Sequence, residues 1–191
     1  MKTGLTENTI NRLQLGAGVF LKNYAKGTPI AASDIIGATR GGGTFSAVPT
    51  IRQVAVDGAP VYVKGLEVID EWVITLSVAN FIEFSDDAIA KTFGGGFVAE
   101  GGTTQEPDVT ITANRTIEST DYDDVWWVGD SSDGKNLVIH LKNALSLGGF
   151  VVTFNDKGEG TFPATFTAHY AYDANNADWA EEAPFEIIKE N

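Results

Sequence analysis

The chain has 191 residues, 43% of them hydrophobic, which fits one domain of generous size with a sizeable core. Cysteine is absent and there are two histidines, His140 and His169, so disulfides, thiolate nucleophiles and cysteine-ligated metals are excluded and histidine chemistry has little to work with. Against 13 basic residues stand 26 acidic ones, a formal charge of −13 that is unsuited to gripping a nucleic-acid backbone.

Residues 1–66 carry seven basic and three acidic groups, net +4, and residues 67–191 carry six basic and 23 acidic, net −17. Within one folded unit this predicts an electrically two-faced molecule suited to head-to-tail self-association; the plain alternative is a solvated acidic surface that keeps a monomer soluble. With no leader-like amino terminus and no run of eighteen apolar residues, a soluble protein made in the cytoplasm is expected.

In chain order, residues 1–36 read as an extended amino-terminal arm with a short strand or turn near 17–24, because Gly16 and Gly18 interrupt any helix. From Thr44 a two-residue period begins, and Pro49, lacking an amide donor, marks an edge or a break. Asp57-Gly58 signals a turn between this strand and a second over VYVKGLEVID, with a bulge at Lys64-Gly65. EWVITLSV at 71–78 places Trp72, Ile74, Leu76 and Val78 on one face. A helix is predicted within 80–93: Ser85, Asp86 and Asp87 suit its start, Lys91 its end, and the glycines at 94–96 stop it.

The second half returns to strands at 109–117, 125–128, 136–145 and 161–171, followed by an acidic tail with a short strand at 185–188. The expected fold is therefore mainly antiparallel β, with one helix covering part of a sandwich or open barrel, and the arm. Residues 37–191 form the single domain.

Chemistry-bearing motifs are sparse. GATRGGGTFS at 37–46 has the glycines of a phosphate loop but lacks the Gly-Lys-Ser/Thr ending and leads into a strand instead of a helix. FGGGF at 93–97 closes a helix, where the amides that bind anions are missing. Asp121, Asp123, Asp124, Asp130 and Asp133 resemble a cation loop only in spacing, without its central Gly and terminal Glu, so no metal or cofactor is expected. Ser131 and Ser132 near His140 lack a nucleophile elbow, and no enzymatic activity is expected. Trp126 and Trp127 face opposite ways on a regular strand, so at least one should meet solvent, a neighbouring subunit or a ligand; Trp179 should pin the tail.

Three stretches carry a resemblance: LGAGVFLKN at 15–23, GATRGGGTFSAVPTIRQVAVDGAPVYVKG at 37–65, and NDKGEGTFPATFTAHYAYDANNADWAEEAPFEII at 155–188. Their order, together with a helix after a strand and its Gly stop, resembles the major tail tube proteins of long-tailed bacteriophages, over roughly residues 12–188, and is similar to the inner-tube subunits of contractile secretion systems.

The resemblance implies a fold of two packed, roughly orthogonal antiparallel sheets with one flanking helix, in a virion tail subunit that closes into hexameric rings, stacked head to tail around a lumen through which DNA passes unbound. It implies partners in other copies of the chain, a tail-tip or baseplate initiator, a tape measure protein and a tail terminator, with no membrane binding. Gly41, Gly42 and Gly43 would supply bends and close approach between subunits, and Asp57 and Gly58 would project at one ring face. Ring-forming strands would lie at 44–56, 61–68 and 161–171. Trp126, Trp127 and Trp179 are interface candidates, and Glu67, Asp70 and Glu71 candidate lumen carboxylates that would repel DNA phosphates. A tail terminator or capsid decoration protein, or a carbohydrate-binding module carried by the tryptophans, are the alternatives.

Overall fold

The computed structural model describes residues 3–94, 96–103, 106–113, 115–176, 178 and 180–190. Among the described residues nine strands run as β1 (Gln14–Leu21), β2 (Gly43–Gln53), β3 (Glu67–Phe81), β4 (Gly96–Thr103), β5 (Glu106–Ala113), β6 (Asp123–Ser131), β7 (Asn136–Ser146), β8 (Phe162–Thr167) and β9 (Phe185–Lys189), with the helix α1 (Asp86–Phe93) between β3 and β4. Seven strands form one antiparallel sheet in the order β1-β6-β7-β8-β3-β2, with β9 added against β7; β4 and β5 pair as a separate hairpin.

The expected pair of orthogonal sheets is corrected to a single sheet curled into a half-barrel with one helix. The reason lies in β7. Its residues Leu137–Leu141 pair with β6 on one side and β9 on the other, and its last residues, Leu145 and Ser146, pair with β8. One strand thus belongs to both halves and joins them into one sheet. Between the two pairings Asn143 adopts φ 47, a left-handed conformation that bends the strand. Register shifts between Asp123 and Val125, Thr50 and Ile51, and Val78 and Phe81 add curvature to the β6–β7, β2–β3 and β3–β8 ladders.

Alternation decides which side chains fill the concave side. Ile74, Leu76 and Val78 of β3, Phe162, Ala164 and Phe166 of β8, and Val125 and Leu141 are buried there with Phe20, Ile36 and Phe81. Phe81 stacks on Phe162 with ring centroids 5.2 Å apart. Burying each such ring is worth about 1.5–3 kcal/mol, so this face dominates stability. A smaller cluster, Leu21, Val128 and Val138 with Tyr24, Ile35 and Trp126, covers the opposite face of β6 and β7. Of residues 1–36, Gln14–Leu21 form an edge strand of the sheet, and Phe20, Leu21 and Ile36 are fully buried.

Helix α1 starts where Ser85 accepts a hydrogen bond from the Ala88 amide at 3.2 Å, with Asp86 and Asp87 in the first turn, and ends at Gly94 with φ 61. Ala88 plugs the core, and Lys91 in the last turn reaches Asp123 at 2.5 Å. The helix is shorter than the predicted window because β3 continues to Phe81.

Candidate self-association surface

The triple glycine works within the chain. Gly41 and Gly42 take φ 89 and 70, turning the backbone into β2. Gly43 lies under Phe20 and against β3, where an added Cβ would come within 2.5 Å of Phe20 Cζ and of the Ser77 carbonyl oxygen. From there β2 runs for eleven residues, paired with β3 on one side; among the described residues its other edge has no strand partner. Pro49 sits in this edge strand, a position its missing donor permits.

Beyond Gln53 the ladder stops, and residues 54–66 return to β3 through a turn closed by the Ala59 amide on the Val56 carbonyl, with Gly58 at φ 83, and a second closed by the Leu66 amide on the Val63 carbonyl. The predicted strand at 61–68 therefore begins only at Glu67. This end of the hairpin is apolar and uncovered. Val61 is 76% exposed and Tyr62 74%, and Val54, Val56 and Val63 are also exposed, as are Ile51, Val68 and Ile69 at the root. Val48 and Val73, opposite each other on β2 and β3, continue the patch.

Sequence alternation places β-branched residues here and reads them as strand. What it does not reveal is that nothing among the described residues covers them. Lys64 on the tip makes no ion pair among the described residues, whereas Lys22, Arg40 and Arg52 pair with Asp87, Glu159 and Asp70. Part of the basic excess of residues 1–66 is thus neutralised internally.

The carboxylates singled out beside this strand are all exposed at its start. Asp70 is the bulged residue and holds Arg52 at 3.0 Å, Glu67 accepts the Gly65 amide at 3.0 Å, and Glu71 pairs with Thr50 across the ladder. Asp70 and Glu71 line a groove of about 680 Å³ with Trp72, Leu147, Tyr170 and Glu181.

The tryptophans divide by face. Trp127 turns to the concave core, lies across Gly18 and Gly129, and donates its ring N–H to the Ala17 carbonyl at 2.9 Å. Trp126 turns the other way and stacks on His140, centroids 3.4 Å apart and planes within 4°. Both are half-buried, as is Trp72, which leans on Phe185. Trp179 lies outside the described residues.

The acidic loop does not converge. Asp121 accepts the Glu118 amide, Asp123 holds Lys91 and Asp124 holds His140, and among the described residues no group of three or more side chains suits a metal ion. Ser131 and Ser132 spend their hydroxyls on the carbonyls of Leu13 and Ile10, away from His140.

What sequence spacing could not reveal is a row on the convex face: Trp126, His140 and Glu186 stand directly opposite one another across β6, β7 and β9. Asp124, which faces the extra residue of the β7 bulge, reaches His140 Nε2 at 2.8 Å, and Lys142 Nζ holds Glu186 Oε1 at 2.5 Å. Lys142 holds the Glu186 carboxyl below its ordinary value, chiefly by that hydrogen bond; burial opposes the shift, and the charges of Lys142 and His140 reinforce it.

The chain matches no protein-family model and no curated protein.

Proposed function

We propose that this chain is a structural subunit that assembles with copies of itself into a tube, as its resemblance to phage tail tube proteins implies. The observation that carries the reading is the uncovered apolar end of the β2–β3 hairpin, where at least eight large apolar side chains between Ile51 and Ile69 face solvent. Patches of this kind on a soluble chain mark protein interfaces.

The sheet adds a geometric reason. A half-barrel with an unpaired edge at β2 cannot close on itself, but copies arranged in a ring can complete one another's sheet and remove the edge. The patch and the edge are different surfaces, so one can serve contacts within a ring and the other contacts between rings. Hexameric closure, a lumen for DNA, a place in the virion, and the initiator, tape measure and terminator partners rest on the resemblance.

The test is a pair of charges at the tip. Val61→Asp with Tyr62→Asp should abolish concentration-dependent association in sedimentation velocity while leaving the urea midpoint unchanged. Association that persists in the doubly charged variant would remove the hairpin from the interface.

A further inference from the structure

His140 is 6% exposed, and its Nδ1 is buried without a hydrogen-bond partner. The other ring nitrogen fixes the tautomer. Nε2 stands 2.8 Å from Asp124 Oδ2, and an ionised carboxylate only accepts, so in the neutral ring the proton sits on Nε2 and Nδ1 presents a bare lone pair. The polar atom that faces it is another acceptor, Glu186 Oε2 on β9, at 3.7 Å. Two acceptors face each other across the β7–β9 ladder, and the buried one, His140 Nδ1, is costly in that state.

The charged groups around the ring come from three strands. Asp124 on β6 holds Nε2, Glu186 on β9 faces Nδ1, and Lys142 on β7 binds the far oxygen of Glu186. Against the ring face lies Trp126, whose indole attracts a cation stacked on it. Two carboxylates and an aromatic face thus surround a ring that carries one proton fewer than it has acceptors to satisfy.

We propose that His140 is a proton-operated latch for the carboxy-terminal strand. A proton taken up from solvent at Nδ1 turns the Nδ1–Glu186 contact from two facing acceptors into a charge-assisted hydrogen bond, fastening β9 to β7. With the proton gone, β9 keeps its ladder to Leu137–Leu141 and the Lys142–Glu186 pair but loses this cross-link. Opening of β9 bares that edge of β7 and lifts Phe185 from Phe45 and Trp72, so the latch sets how readily the half-barrel offers a further strand edge. This inference stands on the side-chain geometry alone and is independent of the tube reading.

Hydrogen exchange of the full chain at pH 8 and pH 5.5, both above the range in which Glu186 titrates, tests it. Protection of the amides of Phe185–Lys189 is corrected for intrinsic exchange and divided by that of Phe162–Thr167, which removes any change in global stability. The ratio should rise about tenfold at pH 5.5, the worth of one hydrogen bond to a charged group. His140→Gln, which keeps a donor for Asp124 but takes no proton, should show equal ratios at the two pH values, and so should Glu186→Ala, which removes the acceptor from an exposed position. A ratio that does not change with pH in the native chain overturns the latch, as does a change that survives in Glu186→Ala; that variant decides the matter should His140→Gln fail to fold.

Discussion

Asn143 donates its backbone N–H to Asp124 Oδ1 at 3.0 Å, so the left-handed kink of β7, where that strand carries one residue more than β6, is tied to the β6 residue that faces it. The Asn143 side chain also reaches the His169 carbonyl at 3.3 Å, anchoring the chain that leaves β8. The bulge of β7 is thus held from β6 on one side and from the chain after β8 on the other, at the point where the sheet turns.

Replacing Asp124 by Ala strips an acceptor from both the Asn143 amide and His140. The expected loss is about 1–3 kcal/mol, read as a lower urea midpoint at pH 7. At the kink itself, Asn143→Gly should cost less than Asn143→Val, because a β-branched residue is strained at positive φ. Equal midpoints for the two would show that the kink is not under conformational demand.

Gly43 gives a packing prediction. Gly43→Ala forces its new methyl into Phe20 and the Ser77 carbonyl, and the midpoint should fall by about 1–3 kcal/mol. Gly148→Ala, where no atom lies within 4 Å, should leave it unchanged.

Acid should weaken the β7–β9 junction in a defined window. The Glu186 carboxyl is depressed below its ordinary value near 4.5, so its contribution is complete above that value and is lost as pH falls through the lower folded value. Because its side chain is 46% exposed, solvent screening holds the contribution to under about 1 kcal/mol. Urea midpoints of the native chain and of Glu186→Gln should differ at pH 7 and converge as pH falls below the ordinary carboxylate range. A gap that stays constant with pH would show that the carboxylate's charge is not what matters there.

Much of the fold was legible because local patterns decided it. Phe162, Ala164 and Phe166 alternate inward as their period predicts, Ser85 with Asp86 and Asp87 starts the helix, and Trp126 and Trp127 take opposite faces. The choice between one sheet and two was not legible, since it rests on β7 changing partners at Asn143, and a left-handed asparagine leaves no mark on a two-residue period. VYV at 61–63 read as a strand because Val and Tyr favour extended backbone, yet the ladder ends at Gln53 and Glu67. The glycines at 94–96 were read only as a stop, while β4 begins at Gly96. His140 and Glu186 meet through a pairing 46 positions apart in the chain, beyond any local signal.

The central claim, that this chain builds a tube from its own copies, is tested most directly by electron microscopy of the purified protein held concentrated at room temperature for days beside a fresh sample. Regular tubes with a repeating ring and a central channel, absent when Val61 and Tyr62 are replaced by Asp, are the predicted result. Monomers that form no tubes even when a tail-tip initiator complex is added would contradict the account.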